Sequence, residues 1–342
     1  VIARAQGIGT VPWRRGRAGA AVALALLACA IPLCCTSYQL FQLTLVIVSS
    51  IALLGLNLLT GYGGQISLGH GAFYGIGAYT TAILVQHARF PYWLTIPCAG
   101  GVCLFLGFLF GLPAVRLEGL HLALATFALG VALPQILKYK GIEGLTGGVQ
   151  GIALEQPRAP FGLPLSPDQW LYCLSLATAA VLFVAARNMM RGHTGRAIVA
   201  VRDRPVAAAS VGIDTTRIKS LTFGVSAMYA GVAGALSALA VQFVGPDSFP
   251  TFLSISLLVG IVVGGLATIW GAIFGAIFIQ FVPNLADGIS KAAPSAVYGV
   301  VLILSVYVMP RGFAGLVQGL TRRVHSSIAA RQSQSVTSKE RP

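Results

Sequence analysis

Charge is what this chain has least of. Asp, Glu, Lys and Arg together make up 9% of 342 residues, and only 9 residues are acidic. A soluble domain carries roughly a quarter of its residues charged, so the solvated surface of a globular enzyme of this length cannot be built from this composition. Catalytic equipment is missing as well. There is no GxxxxGK[ST] phosphate loop, no HExxH zinc motif and no convincing serine, histidine and acid constellation, and the run RGHTGRA around Gly195 lacks the lysine and the spacing of a phosphate loop. Neither nucleotide hydrolysis nor a hydrolase is supported, so any energy must come from an ion gradient or another subunit. Paired CxxC spacing is absent too. Cys29, Cys34, Cys35, Cys98, Cys103 and Cys173 sit in or beside apolar segments and read as buried thiols rather than a metal site, with adjacent Cys34 and Cys35 open to oxidation.

What is present is apolar. Hydrophobic residues make up 56% of the chain and mean hydropathy is +0.81. The apolar stretches fall near 18–35, 40–59, 66–87, 92–112, 119–137, 170–187, 221–243, 251–269, 271–286 and 292–309. A helix needs about 20 residues to span the hydrocarbon, so the stretch from 271 is short and either tilts little or breaks. Barrel strands are shorter and alternate, which leaves an all-α polytopic membrane protein with about ten transmembrane or broken helices. The chain then divides into a basic amino terminus 1–17, a transmembrane domain 18–310 containing a basic connection 187–219, and a basic flexible tail 311–342. The first stretch has the outline of a signal peptide, but so much apolar chain follows that a retained helix is expected.

The formal charge of +14 lies mainly in connections and ends, a distribution that orients helices and meets lipid headgroups or soluble partners rather than nucleic acid. Arg4, Arg14, Arg15 and Arg17 precede the first span and place the amino terminus in the cytoplasm. Ten crossings then put Arg116, the 187–219 connection and the tail after Arg311 on the same side. The connection from Lys138 to Asp168 falls outside and carries Glu143, Glu155 and Asp168 beside its basic residues.

Two regions carry most of the remaining information. The first is NLLTGYGGQISLGHGAFYGIGAY, from Asn57 to Tyr79, which sets Gly61, Gly63, Gly64, Gly69, Gly71, Gly75 and Gly77 among uncharged polar groups inside a membrane-type sequence. Its glycines permit close backbone approach or a broken span, while Asn57, Gln65, Ser67 and His70 either line a hydrated route or make core contacts. Tyr62, Tyr74 and Tyr79 are expected as interfacial contacts, and His121 as a capping or headgroup contact at a helix entrance. The run from Gly63 to Gly75 parallels GGLATIWGAIFG, from Gly264 to Gly275, once one residue is skipped: Gly264 and Gly265 match the first glycine pair, and Gly271 and Gly275 match Gly71 and Gly75. Internal repetition of this kind occurs in transporters, though close packing of small residues produces the same pattern.

The second region, residues 187–227, carries Arg187, Arg191, Arg196, Arg202, Arg204, Arg217 and Lys219, interrupted by Asp203 and Asp214. Pro205 suits a helix start with Arg204 extended before it, and Gly212 suits the end of a short helix. A helix docking into a groove of a soluble partner fits this pattern. A solvated, membrane-orienting loop is the plainer alternative.

Several long motifs occur together and in order: GLNLLTGYGGQISLGHGAFYGIGAYTTAIL at 55–84, EGLHLALATFALG at 118–130, GIEGLTGGVQGI at 141–152, GRAIVAVRDRPVAAASVGIDTTRIKSLTFGVSAMYAGVAGAL at 195–236 and GGLATIWGAIFGA at 264–276. Through them the chain resembles, over about 40–315, the integral-membrane permease subunit of high-affinity branched-chain amino-acid ABC importers, of the second, M-type class. The resemblance implies that Arg202, Asp203, Ala208, Ala209 and Gly212 lie in a cytoplasmic coupling region that meets an ATPase. Import permeases more widely favour glutamate before the paired alanines, whereas Pro205 and Val206 stand in that neighbourhood here, which weakens any claim to one particular ionic contact. It further implies a second related permease, two ATPase subunits holding ATP and Mg, an extracytoplasmic substrate-binding protein, a bacterial inner-membrane location, and no cofactor bound by this chain itself. Leucine, isoleucine or valine is the expected cargo. Urea, short-chain amides or other amino acids are the nearest alternative, and a gradient-driven secondary transporter is the alternative from another class.

Overall fold

The structure, a computed structural model, describes residues 35–114, 119–160 and 165–289, together with residues 32, 117, 299, 300, 303, 307, 312, 313 and 315. The basic terminus 1–17, Cys29, Cys34, Arg116 and the tail beyond 315 lie outside the described residues, as do all but isolated residues of the expected spans 18–35 and 292–309.

Long apolar helices make up the body. They are α1 (Ser37–Leu56), α2 (His70–Gln86), α3 (Tyr92–Ala114), α4 (Leu120–Leu137), α5 (Pro167–Arg191), then two shorter helices α6 (His193–Asp203) and α7 (Pro205–Ser210), and finally α8 (Thr215–Val241), α9 (Thr251–Gly264) and α10 (Gly271–Ile289). Each apolar stretch expected between 40 and 286 thus has its helix, and among the described residues 6 helices are long and apolar enough to cross a membrane. The fold is all-α and polytopic. Its one described sheet is a two-residue antiparallel pair, β1 (Ile152–Ala153) and β2 (Phe243–Val244), with Ile152 opposite Val244.

Local chemistry sets the helix ends. Ser166 and Gln169 form a reciprocal cap at the start of α5, with the Gln169 amide donating to Ser166 Oγ at 3.3 Å and the Ser166 amide donating to Gln169 Oε1 at 3.0 Å. Pro167 follows at the first helical position, where its missing N–H costs nothing. Asp214 caps α8 by accepting from the Arg217 amide at 3.0 Å.

The core is organised around α8, which packs on α1, α2 and α3. Its small residues allow this. Gly224 lies against the Leu104 carbonyl and Phe108 of α3, Ala227 against Gly107, and Gly231 against both Cys103 of α3 and Gly77 of α2. Where lipid is the solvent, helix association rests on such close packing and on interhelical hydrogen bonds. The same approach overturns one expectation. Tyr74 and Tyr79 are buried rather than interfacial, with their rings 6.1 and 6.2 Å from that of Phe249, because the glycine contacts draw this part of α2 inward.

Two expected spans depart from the hydropathy pattern at their ends. The stretch 40–59 continues through a π-helical turn, Asn57–Tyr62, and the chain then runs without regular structure to α2. The stretch 251–269 stops as helix at Gly264 and resumes at Gly271. The two glycine runs therefore share a helix–break–helix form. Their packing differs, since α9 and α10 form a tight hairpin with Gly264 against Gly271 and Gly275 against Gly260, while α1 and α2 touch little and α8 packs on both.

Candidate functional site

The two breaks meet. Asn57, fully buried, donates from Nδ2 to the Thr268 carbonyl at 2.8 Å and accepts at Oδ1 from the Ala267 amide at 2.9 Å. Both halves of one carboxamide thus hold the 265–270 segment from a helix more than two hundred residues earlier. The backbone there needs holding, because Ala267 sits at φ 56, a left-handed conformation that costs a non-glycine residue about 1 kcal/mol. Gly61 makes the approach feasible, since a Cβ there would lie against Asn57 Oδ1 and 2.5 Å from the Ala267 nitrogen.

A second network fixes the start of α2. His70 is fully buried, with Nδ1 3.0 Å from Ser67 Oγ and Nε2 bonded to Ser226 Oγ of α8. Proton bookkeeping assigns the tautomer. Ser226 Oγ donates to the Gly55 carbonyl at 2.6 Å, so it accepts from Nε2–H, and Nδ1 then accepts from the Ser67 hydroxyl. No carboxylate enters the network, and a neutral imidazole satisfies every partner. Thr126 of α4 completes the frame by accepting from the Leu68 amide at 2.9 Å, and Ser254 of α9 by accepting from the Gly71 amide at 2.9 Å. Replacing Ser226 by alanine is expected to lower stability by about 1 kcal/mol, read as the melting temperature of the purified protein, because His70 and the Gly55 carbonyl both lose a partner.

The expected polar residues therefore part company. Asn57, Ser67 and His70 spend their hydrogen-bonding groups inside the chain, while Gln65 is half-buried. At the surface of the breaks stand apolar side chains instead: Ile66 on one, Leu266 and Trp270 on the other. Among the glycines, Gly64 at φ 68 and Gly265 at φ 117 need their missing Cβ for backbone conformation, and Gly71 and Gly75 for contact with Ser254 and with Leu133 and Phe249. Gly63 lies close to the Leu59 carbonyl. Thr126, Ser226 and Ser254 were not singled out from sequence. Their only signal is a hydroxyl within an apolar run, which names no partner.

The basic region stands at the same end as the breaks. Arg204 is extended at φ −148, ψ 82, Pro205 opens α7, and Gly212 turns the chain at φ 85. The paired alanines divide, with Ala208 buried against the body and Ala209 exposed. Val206 and Val211 are 84% and 75% exposed, so α7 and the residue that caps it present a small apolar surface beside Arg204. Arg202 is exposed, but its guanidinium is held by groups of the chain itself. Its Nε donates to Asp203 Oδ1 at 2.8 Å and its Nη1 to the Gly61 carbonyl at 3.0 Å. The exposed short helix and the glycine-rich break are thus parts of one assembly of elements.

Residues 38–308 match the family described as branched-chain amino acid transport system / permease component. The chain belongs to that family. Its members are non-catalytic subunits of ABC import systems, working with a paired permease, ATPases and a binding protein, and the chain is accordingly a multi-pass protein of the bacterial inner membrane. It is 32% identical over 314 residues to the high-affinity branched-chain amino acid transport system permease protein LivM of Escherichia coli, covering 85% of this chain and 73% of that protein. It is 25% identical over 287 residues to LivH of the same system in Escherichia coli, covering 77% and 89%. The autoinducer 2 import system permease protein LsrC of an Enterobacter species is 28% identical over 197 residues, covering 52% and 55%. No solved structure matches.

Proposed function

We propose that this chain is a permease subunit of an ATP-driven importer for leucine, isoleucine and valine, translocating substrate delivered by an extracytoplasmic binding protein. Its partners are a second, related permease and two ATPase subunits that hold ATP and Mg. The observation that carries this reading is the exposed α7 and the residue that follows it, where Val206, Ala209 and Val211 are exposed at the end where Arg187, Arg191, Arg196, Arg204 and Arg217 cluster in sequence. A compact apolar surface flanked by positive charge suits insertion into a groove of a soluble subunit, and the charge bias assigns this end to the cytoplasm. The similarity to LivM over most of both chains supports the cargo.

In this cycle the loaded binding protein docks outside, and closure of the ATPases acts through residues 187–219. The paired permeases then change access across the membrane. No covalent chemistry falls to this chain. Asn57, Ser67 and His70 hold the frame of the two breaks, and high affinity for the cargo resides in the binding protein.

Another cargo within the same importer class is the competing reading, favoured by the partial similarity to the autoinducer 2 permease. Reconstitution with the neighbouring transport components and a competitive uptake panel separates the two. ATP-dependent uptake of radiolabelled leucine, displaced by isoleucine and valine, is the expected result. Uptake that needs no ATP rejects the importer class, and ATP-dependent uptake of urea or an amide without any branched-chain amino acid rejects the cargo alone.

A further inference from the structure

Arg202 stands in the coupling region and is exposed there, yet its guanidinium also reaches the break. One nitrogen of its guanidinium is taken by Asp203 at 2.8 Å and another by the carbonyl of Gly61 at 3.0 Å, within the π-helical turn that follows α1. That turn also carries Asn57, which grips Ala267 and Thr268. From the last turn of α6, two steps of hydrogen bonding reach both breaks in the membrane domain. The Gly61 carbonyl is available because it stands at the end of the helix, where the last carbonyls lack donors of the regular ladder.

Space for the link is built into the backbone. Gly64 sits at φ 68, and a Cβ there would come within 2.6 Å of Arg202 Cγ, so the aliphatic stem of the arginine lies across the glycine. Arg196, by contrast, bonds to the Arg191 carbonyl and His193 within its own neighbourhood.

We propose that Arg202 is a positioning residue that fastens the α6–α7 pair to the π turn, so that displacement of the pair by an ATPase moves the 57–70 and 264–271 breaks together. Asp203 holds the guanidinium in the orientation that presents Nη1 to Gly61. The proposal rests on the importer reading given above and adds the path by which it operates. A neutral stem of equal length would fill the same space and transmit nothing, whereas a hydrogen bond from a charged donor contributes a coupling on the order of tenfold.

The test uses the full complex in lipid nanodiscs and in proteoliposomes, comparing the unaltered chain with Arg202→Met and Arg202→Lys. Hydrogen–deuterium exchange is followed in peptides covering 57–70 and 264–271, without nucleotide and after trapping with ATP and vanadate. In the unaltered complex both peptides are expected to change together. In Arg202→Met, still co-purifying with the ATPases, the change in both peptides is lost and leucine imported per ATP hydrolysed falls about tenfold. Arg202→Lys keeps one donor for Gly61 and restores part of both readouts, which a merely space-filling role would not do.

An Arg202→Met complex whose breaks respond to nucleotide as in the unaltered chain overturns the proposal. So does an unaltered complex that imports leucine while neither peptide responds. If Arg202→Met does not assemble, Arg202→Lys decides, since full import and a full exchange response without the guanidinium fork also overturn it. An unaltered complex with no ATP-dependent import of any cargo rejects the importer reading itself, a result distinguishable from all of these.

Discussion

Gly234→Leu is expected to abolish accumulation of folded protein, while Gly101→Leu leaves it nearly unchanged. Gly234 of α8 lies where its helix crosses α2, and a Cβ there would press on the Tyr74 carbonyl, with the Ala78 nitrogen 3.0 Å away. On the other side of the same crossing, a Cβ at Gly77 would press on the Gly231 carbonyl. Every nearest atom is backbone, so no rotamer change relieves the clash and the two helices must separate. Overpacking of this kind costs about 3 kcal/mol or more, against a total stability of about 5–15 kcal/mol. Gly101 has nothing within 4 Å of its Cβ position and is exposed. The yield of monodisperse protein after solubilisation in mild detergent reads the difference, and equal yields for the two variants would show that the α2–α8 crossing is not as close as described.

Asn57→Leu is the second large effect expected, and it should fall on transport and stability together. Leucine shares the branching of asparagine but is larger and apolar, and the Ala267 N–H and the Thr268 carbonyl lose the partners now at 2.9 and 2.8 Å. Unpaired buried groups cost about 1–3 kcal/mol each in proteins, and measured interhelical bonds in membranes lie at the low end, so a loss of about 2 kcal/mol is expected. Ala267 then has nothing from Asn57 to stabilise its left-handed backbone, and the break between α9 and α10 loosens. Asn57→Asp keeps the acceptor for Ala267 but removes the donor to Thr268 and buries a carboxyl group, so it should fare no better. Thermal melting of the purified chain and ATP-dependent uptake by the assembled complex measure the two consequences. Unaltered melting and uptake in Asn57→Leu would mean that the 265–270 segment holds its shape without the clamp.

Both substitutions mark the boundary of what the sequence makes legible. The glycine content of 57–79 announces close approach, but Gly77 and Gly101 look alike in the chain; only the position of α8 separates an essential contact from open space. Tyr74 and Tyr79 illustrate the same limit, because a tyrosine in an apolar run suits an interface equally well until a neighbouring helix covers it. The break after Gly264 was likewise hidden by hydropathy, which continues through Gly265 to Trp270 although the helix stops at Gly264.

By itself the sequence determined the all-α membrane class, the helices between residues 40 and 286, the short helix opened by Pro205, and, through five motifs in order, the permease family. These are properties of composition, period and local backbone preference, which act over a few residues or one membrane thickness and need no knowledge of neighbours. Only the tertiary structure decided that Asn57 grips Ala267 and Thr268, that His70 is consumed between Ser67 and Ser226, and that Arg202 bonds to Gly61. Each joins groups far apart in the chain. A buried polar group in an apolar environment must find a partner, but which partner it finds depends on how the helices pack.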